Sequence, residues 1–256
     1  MKEKFLTLIW FFSRPTFYRH GFDLFLRKFR KNFDSSFYSD QARDWAKQQT
    51  VSVEEALKKI GLIAEGQTIP SIDEILISEA SSLASTSKVE MGGAGDIHLI
   101  YATALLSGSK MAIETGVAYG WSSLSILAAL KKIPGSLLVS VDMPYPKMNN
   151  EDSVGIAIPI EFKKNWQLLR EPDRKGIKKA IKMINGPVDL CHYDSDKSYY
   201  GRVYGYPLLW DSLKEGGIFI SDDIQDNLAF KELVERKKTK FAVTEYEGKY
   251  IGITLK

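Results

Sequence analysis

Beyond residue 110 the chain alternates short apolar runs with amphipathic stretches. Residues 110–114, 136–141, 166–170, 188–193 and 218–221 are brief and mostly apolar, the pattern of strands covered on both faces of a parallel sheet. Residues 122–132, 175–184 and 227–237 repeat apolar positions at helical spacing. Residues 206–213 are expected in a helix closed by Glu215-Gly216-Gly217. Residues 241–246 and 250–255 flank Glu247-Gly248-Lys249, a turn that predicts an antiparallel hairpin. Together these elements predict an α/β fold: a seven-stranded, mostly parallel sheet with an antiparallel last strand.

The first 90 residues read differently, as an N-terminal helical extension, arm or cap to a main domain of residues 91–256. Residues 35–90 are helical with polar breaks. Residues 53–60 have a helical period that stops at Gly61, and Ser71 with Glu74 three residues on makes a capping box. A glycine-rich loop over residues 91–96 precedes an apolar helix over 97–106. The apolar run at residues 5–12 resembles the core of a signal peptide, but Arg14-Pro15 follows it without a small-residue cleavage site. It is too short to span a bilayer. Phe22, Phe25, Leu26, Phe29 and Phe33 then recur at helical spacing between basic residues. Such a stripe is expected to dock on the core domain or on a second subunit, as in a homo-oligomer. The competing reading is peripheral membrane contact by a basic amphipathic helix.

Charge sharpens that division. Residues 1–31 hold eight Lys and Arg against two acidic residues, a surplus of six. The whole chain carries +3, so the remainder is mildly acidic. An acidic main domain without a basic stripe of interleaved aromatics argues for no nucleic acid partner. The N/D-P-P-Y/F tetrapeptide of amino-methylating DNA enzymes is absent too. The single cysteine, Cys191, lies in an apolar run; it permits no internal disulfide and fits a reducing, cytoplasmic setting.

Candidate chemistry centres on Ile113-Glu114-Thr115-Gly116-Val117-Ala118-Tyr119-Gly120-Trp121-Ser122. An acidic residue precedes a glycine-punctuated turn and a hydroxyl follows it, an arrangement suited to an amino-acid moiety with an ammonium and a carboxylate. Gly116 and Gly120 permit close backbone approach, and the next helix offers free amides to an anion. The spacing is neither G-x-G-x-x-G nor that of a phosphate-binding lysine loop.

This block, with V-S-V-D (139–142), D-L-C-H-Y-D-S-D-K-S-Y (189–199), L-K-E-G-G-I-F-I-S-D-D-I (213–224) and the terminal hairpin, resembles the class I S-adenosyl-L-methionine-dependent methyltransferases. The similarity is to their small-molecule O-methyltransferase-like branch, methyltransferase family 24, over roughly residues 90–256. The resemblance implies a Rossmann-like sheet and O-methylation of a small-molecule acceptor such as a hydroxylated sugar or natural product. It implies that Glu114, Gly116, Gly120 and Ser122 hold the methionine end of the cofactor. Asp142 would accept from both ribose hydroxyls, as an acceptor-only carboxylate matched to a diol, and Asp173 would meet the adenine edge. Met91 and Gly93 would lie near the sulfonium, with Asp194 also beside the cofactor.

Asp194, Asp222 and Asp223 stand at neighbouring strand ends and are expected to bind Mg2+, hard oxygens for a hard cation. Asp196 and Lys197 are candidate general bases. Lys197 replaces the histidine of the family's D-x-x-H-x-Y pattern, and a lysine needs a depressed pKa to act as a base. His20, His98 and His192 are read as packed or solvated; they form no compact pair for a non-haem iron site. The alternative to catalysis is a membrane-peripheral or scaffold protein that keeps the fold.

Overall fold

The computed structural model describes residues 7, 9–11, 13–144, 146 and 150–256. Part of the apolar run at 5–12, with Lys2 and Lys4 before it, lies outside the described residues.

The elements run α1 (Tyr18–Arg27), α2 (Ser36–Gln49), α3 (Val53–Lys59), α4 (Glu74–Ala84) and α5 (Ile97–Leu106). The sheet domain continues with β1 (Met111–Thr115), α6 (Trp121–Leu130), β2 (Leu137–Val141), β3 (Trp166–Leu169), α7 (Asp173–Ile184) and β4 (Val188–Tyr193). It closes with α8 (Tyr199–Ser212), β5 (Leu213–Ser221), α9 (Ala229–Lys237), β6 (Phe241–Tyr246) and β7 (Lys249–Leu255).

Seven strands form one sheet in the order β3-β2-β1-β4-β5-β7-β6. β1 to β5 are parallel, and β7 is antiparallel to both neighbours. Strand periodicity explains the two cores. Ala112, Leu138, Leu190 and Ile218 point to one face, against α5 and α6. Ile113, Val139, Cys191 and Phe219 point to the other, against α7, α8 and α9. Because both faces are covered, β1, β2 and β4 read as mostly apolar runs rather than alternating.

The first core also contains Ala56, Leu57, Ile60 and Ala80. The N-terminal helices α3 and α4 are therefore built into the sheet domain rather than hung beside it. Thr50 bridges Val243, and the Val51 amide donates to the Val243 carbonyl at 2.9 Å, which covers the free edge of β6.

Three local expectations are corrected. Asp73, not Ser71, caps α4, accepting from the Ile75 amide at 2.9 Å. The segment 213–217, expected as a helix end and turn, extends β5; Gly216 and Gly217 exchange backbone bonds with Lys256 at 3.0 and 2.9 Å. The aromatic stripe of the arm docks on the core only in part. α1 ends at Arg27, so Phe33 lies beyond it and stacks on Tyr199 with ring centroids 4.5 Å apart. Phe22, Phe25 and Phe29 stay on the surface, while Asp23 is buried.

Among the described residues, no helix is long and apolar enough to cross a membrane.

Candidate functional site

The carboxyl ends of parallel strands β1, β2 and β4 open on two adjoining cavities that share Gly116, Asp142 and Lys197. The outer one, about 520 Å3, is roofed by the arm through Phe11, His20, Leu24 and Arg27, with Met143 and Asp173 also in its wall. The inner one, about 410 Å3, lies between the 92–96 loop, the start of α6 and the ends of β4 and β5.

Gly116 follows β1 with φ +84, and a Cβ there would run into the Asp194 carbonyl. Gly120 has φ +93 and leads into α6; its Cβ would meet Ile158 at 2.9 Å. Only glycine serves at either position. The Val117 amide donates to Asp142 Oδ1 at 3.0 Å, and Arg170 pairs with Oδ2. Burial raises the Asp142 carboxyl above its ordinary value, and the Arg170 charge offsets part of that.

Glu114 occupies a different place from the one the resemblance implies. It is fully buried and lines neither cavity. Its oxygens accept from Ser122 at 2.6 Å, Ser140 at 2.7 Å and Ser123, so three of its acceptor sites are taken by the protein's own hydroxyls. His192 Nδ1 stands 3.6 Å from Glu114, and Nε2 stands 3.4 Å from Asp222. Burial pulls the imidazole down, but Asp222 and then Glu114 outweigh it and hold it up at about 10. His192 thus lies buried between two carboxylates that favour its protonated form.

Ser122 and Gly93 line the inner cavity, whereas Gly120 and Met91 line neither. Met91 is sewn to the turn instead: its amide donates to the Tyr119 hydroxyl at 3.1 Å, and Asn150 Nδ2 reaches its sulfur at 3.3 Å. Asp173 is in the outer cavity wall, its Oδ2 accepting from Ser195 at 2.6 Å and Tyr193 at 3.3 Å. Burial pushes its carboxyl up to about 6.

Asp194, Asp222 and Asp223 do line one cavity, as their strand-end positions predict. They do not form a coordination shell in this arrangement. The Lys197 ammonium stands between two of them, 3.2 Å from Asp194 and paired with Asp223, while Asp222 turns to His192. Among the described residues no group of three His, Cys, Asp or Glu is spaced to hold a metal ion. At this point the Lys197 ammonium supplies the positive charge between Asp194 and Asp223.

Burial and the neighbouring Asp222 push Asp194 up to about 6. Burial lowers the Lys197 ammonium, but Asp194 and Asp223 outweigh it and leave it above the ordinary lysine value. Lys197 is therefore charged at neutral pH. Asp196 is tied to Arg27 at 2.7 Å and Ser198 at 2.7 Å; burial raises its carboxyl, but Arg27 outweighs this and keeps it low. Neither candidate base is a free one.

The sequence reading missed Arg27, Arg170 and the bridging role of His192. Arg170 was findable, since β2 and β3 run in parallel register and place it beside Asp142. His192 follows likewise, because it lies opposite Glu114 in the β1–β4 pairing. Nothing local signals Arg27, which meets its partner 169 positions away.

Residues 113–224 match the family model described as a methyltransferase domain. Solved structures share the fold. The cofactor-bound Rv0187 from MTB superposes with a TM-score of 0.58 at 12% identity, over 72% of this chain and 90% of that one. An O-methyltransferase described as putative, from Klebsiella pneumoniae, gives 0.54 at 13%, over 82% and 98%. The O-methyltransferase from Bacillus cereus, crystallised with S-adenosylhomocysteine, gives 0.51 at 13%, over 82% and 100%. At such identities the likeness is one of fold. No curated protein matches the chain in sequence.

Proposed function

From the premise that residues 113–224 form a class I methyltransferase domain, we propose that this protein transfers a methyl group from S-adenosylmethionine to a hydroxyl of a small molecule. The observation that carries the reading is the meeting of two cavities at Gly116, Asp142 and Lys197. A ligand with a nucleoside at one end and an amino acid at the other needs such a bipartite cleft, with a diol acceptor at its waist.

In this reading Asp142 receives the ribose hydroxyls, with Arg170 steadying its second oxygen. Gly116 lets the ligand lie against the backbone, and the free amides at the start of α6 face the carboxylate. The outer cavity, with Met143 and Asp173 in its wall, takes the base. Asp96, Asp194, Asp222, Asp223 and Glu247 line the inner cavity against Lys197 and Lys249, an acidic surplus that favours a cationic ligand there.

When bound, S-adenosylmethionine supplies an electrophilic methyl on a sulfonium leaving group. The chain's task is then positioning and proton removal. The Lys197 ammonium donates to the acceptor oxygen and orients its lone pair. Asp194, 3.2 Å from that nitrogen and tuned upward by burial and Asp222, takes the hydroxyl proton. An acid–lysine pair of this kind suits a hydroxyl acceptor, and the Bacillus cereus protein that shares the fold is an O-methyltransferase.

The test is incubation with methyl-labelled S-adenosylmethionine and a panel of hydroxylated small molecules. Label on oxygen, lost in Lys197→Met, supports the assignment. Label on nitrogen or carbon acceptors alone contradicts it.

A further inference from the structure

The arm helix α1 is mounted with its charged side inward. Arg27 reaches Asp196 and Ser198 at 2.7 Å, and Asp23 pairs with both Arg27 and Arg174 at 2.9 Å. These contacts fix the helix's rotation. Its opposite side carries Phe22 and Phe25, with Phe29 just past the last turn, one stripe at the 3.6-residue period. These rings are 62%, 52% and 75% exposed, and those of Phe25 and Phe29 lie edge-on at 5.2 Å. An ordinary surface helix turns its apolar stripe to the core. Here that polarity is reversed, and a contiguous exposed aromatic patch marks a place of contact.

Charge identifies the partner. Arg19 and Arg30 flank the stripe on one side and Lys28 on the other, with Arg14 and Lys31 at the ends; all five are exposed. The single acidic residue of this stretch, Asp23, is buried against the body. We propose that α1 docks on an anionic lipid surface, its three phenylalanines in the boundary between headgroups and acyl chains and its basic flanks against lipid phosphates. A second copy of the chain fits less well, since a two-fold contact through this stripe sets like-charged flanks against each other. The inference stands independently of methyl transfer.

The experiment is flotation of the full chain with vesicles of phosphatidylcholine, with and without phosphatidylglycerol. The protein is expected to float with the anionic vesicles and not with the neutral ones. In the combined variant Phe22→Ser, Phe25→Ser, Phe29→Ser the bound fraction falls at least about ten-fold, and in Arg19→Glu, Lys28→Glu it falls by a similar factor. Circular dichroism and ligand binding stay unchanged in both variants, because none of these side chains lines a cavity. Absence of flotation, equal flotation with neutral vesicles, or unaltered flotation of the triple variant overturns the proposal. So does sedimentation showing a dimer that the triple variant splits while vesicle binding is absent.

Discussion

Arg27 in the N-terminal helix and Asp196 beyond β4 are joined at 2.7 Å across 169 positions of sequence. The pair ties the arm to the edge of the cleft, and Arg27 is itself held by Asp23. Arg27→Met removes the donor to two carboxylates. We expect a loss of about 2 kcal/mol in unfolding free energy, with faster amide exchange across residues 18–27 than elsewhere. Uniform exchange rates would mean that the arm is held by other contacts.

His192 contributes through its charge. Its folded pKa of about 10 exceeds the ordinary value of 6.5, so its stabilisation is complete below pH 6.5 and is lost as pH rises through 10. His192→Leu leaves Glu114 and Asp222 without the buried cation and is expected to cost about 3 kcal/mol at pH 6. The gap between variant and wild type narrows in denaturation series taken toward pH 10. A gap independent of pH would mean that packing, not charge, is what the substitution removes.

Asp173 acts in the opposite sense. Its folded pKa of about 6 lies above the ordinary 3.8, so the folded state binds the proton more tightly and stability falls as pH rises from 3.8 to 6. The ionised side chain costs about 3 kcal/mol at pH 7. Both hydroxyl donors reach the same oxygen, Oδ2, and an amide oxygen can accept both. Asp173→Asn should therefore raise Tm at pH 7 and leave it nearly unchanged at pH 4. A lower Tm at pH 7 would refute the assignment.

Much of this architecture is legible because the sheet is covered on both faces. The strands at 110–114, 136–141 and 188–193 stand out as apolar runs, and Gly116 and Asp142 stand out because they end them. Segment 213–217 was hidden, because Lys214-Glu215-Gly216-Gly217 reads as a turn until Lys256 returns to pair with it. Glu114 was misread for a related reason. An acid before a glycine turn looks ligand-facing, but its strand register points it at Ser140 and His192. The arm's orientation was beyond reach, since ion pairs to Arg174 and Asp196 decide which side of α1 faces inward.

Lys197 is the residue on which turnover depends in this account. Lys197→Met should lower methyl transfer about a hundredfold while changing the cofactor Kd less than about three-fold. EDTA should leave wild-type turnover unchanged, because the ammonium already fills the position between Asp194 and Asp223. Loss on chelation, with recovery on adding Mg2+, would show instead that the three carboxylates close on a metal.

The most direct measurement is calorimetric titration of the full chain with S-adenosylmethionine and S-adenosylhomocysteine, beside Gly116→Val and Asp142→Ala. We expect micromolar binding to the wild type and at least tenfold weaker binding to both variants. In the first, a side chain is forced against the Asp194 backbone; in the second, the carboxylate at the waist of the two cavities is gone. Absence of binding to the wild type, or undiminished affinity in both variants, would contradict the assignment of this cleft.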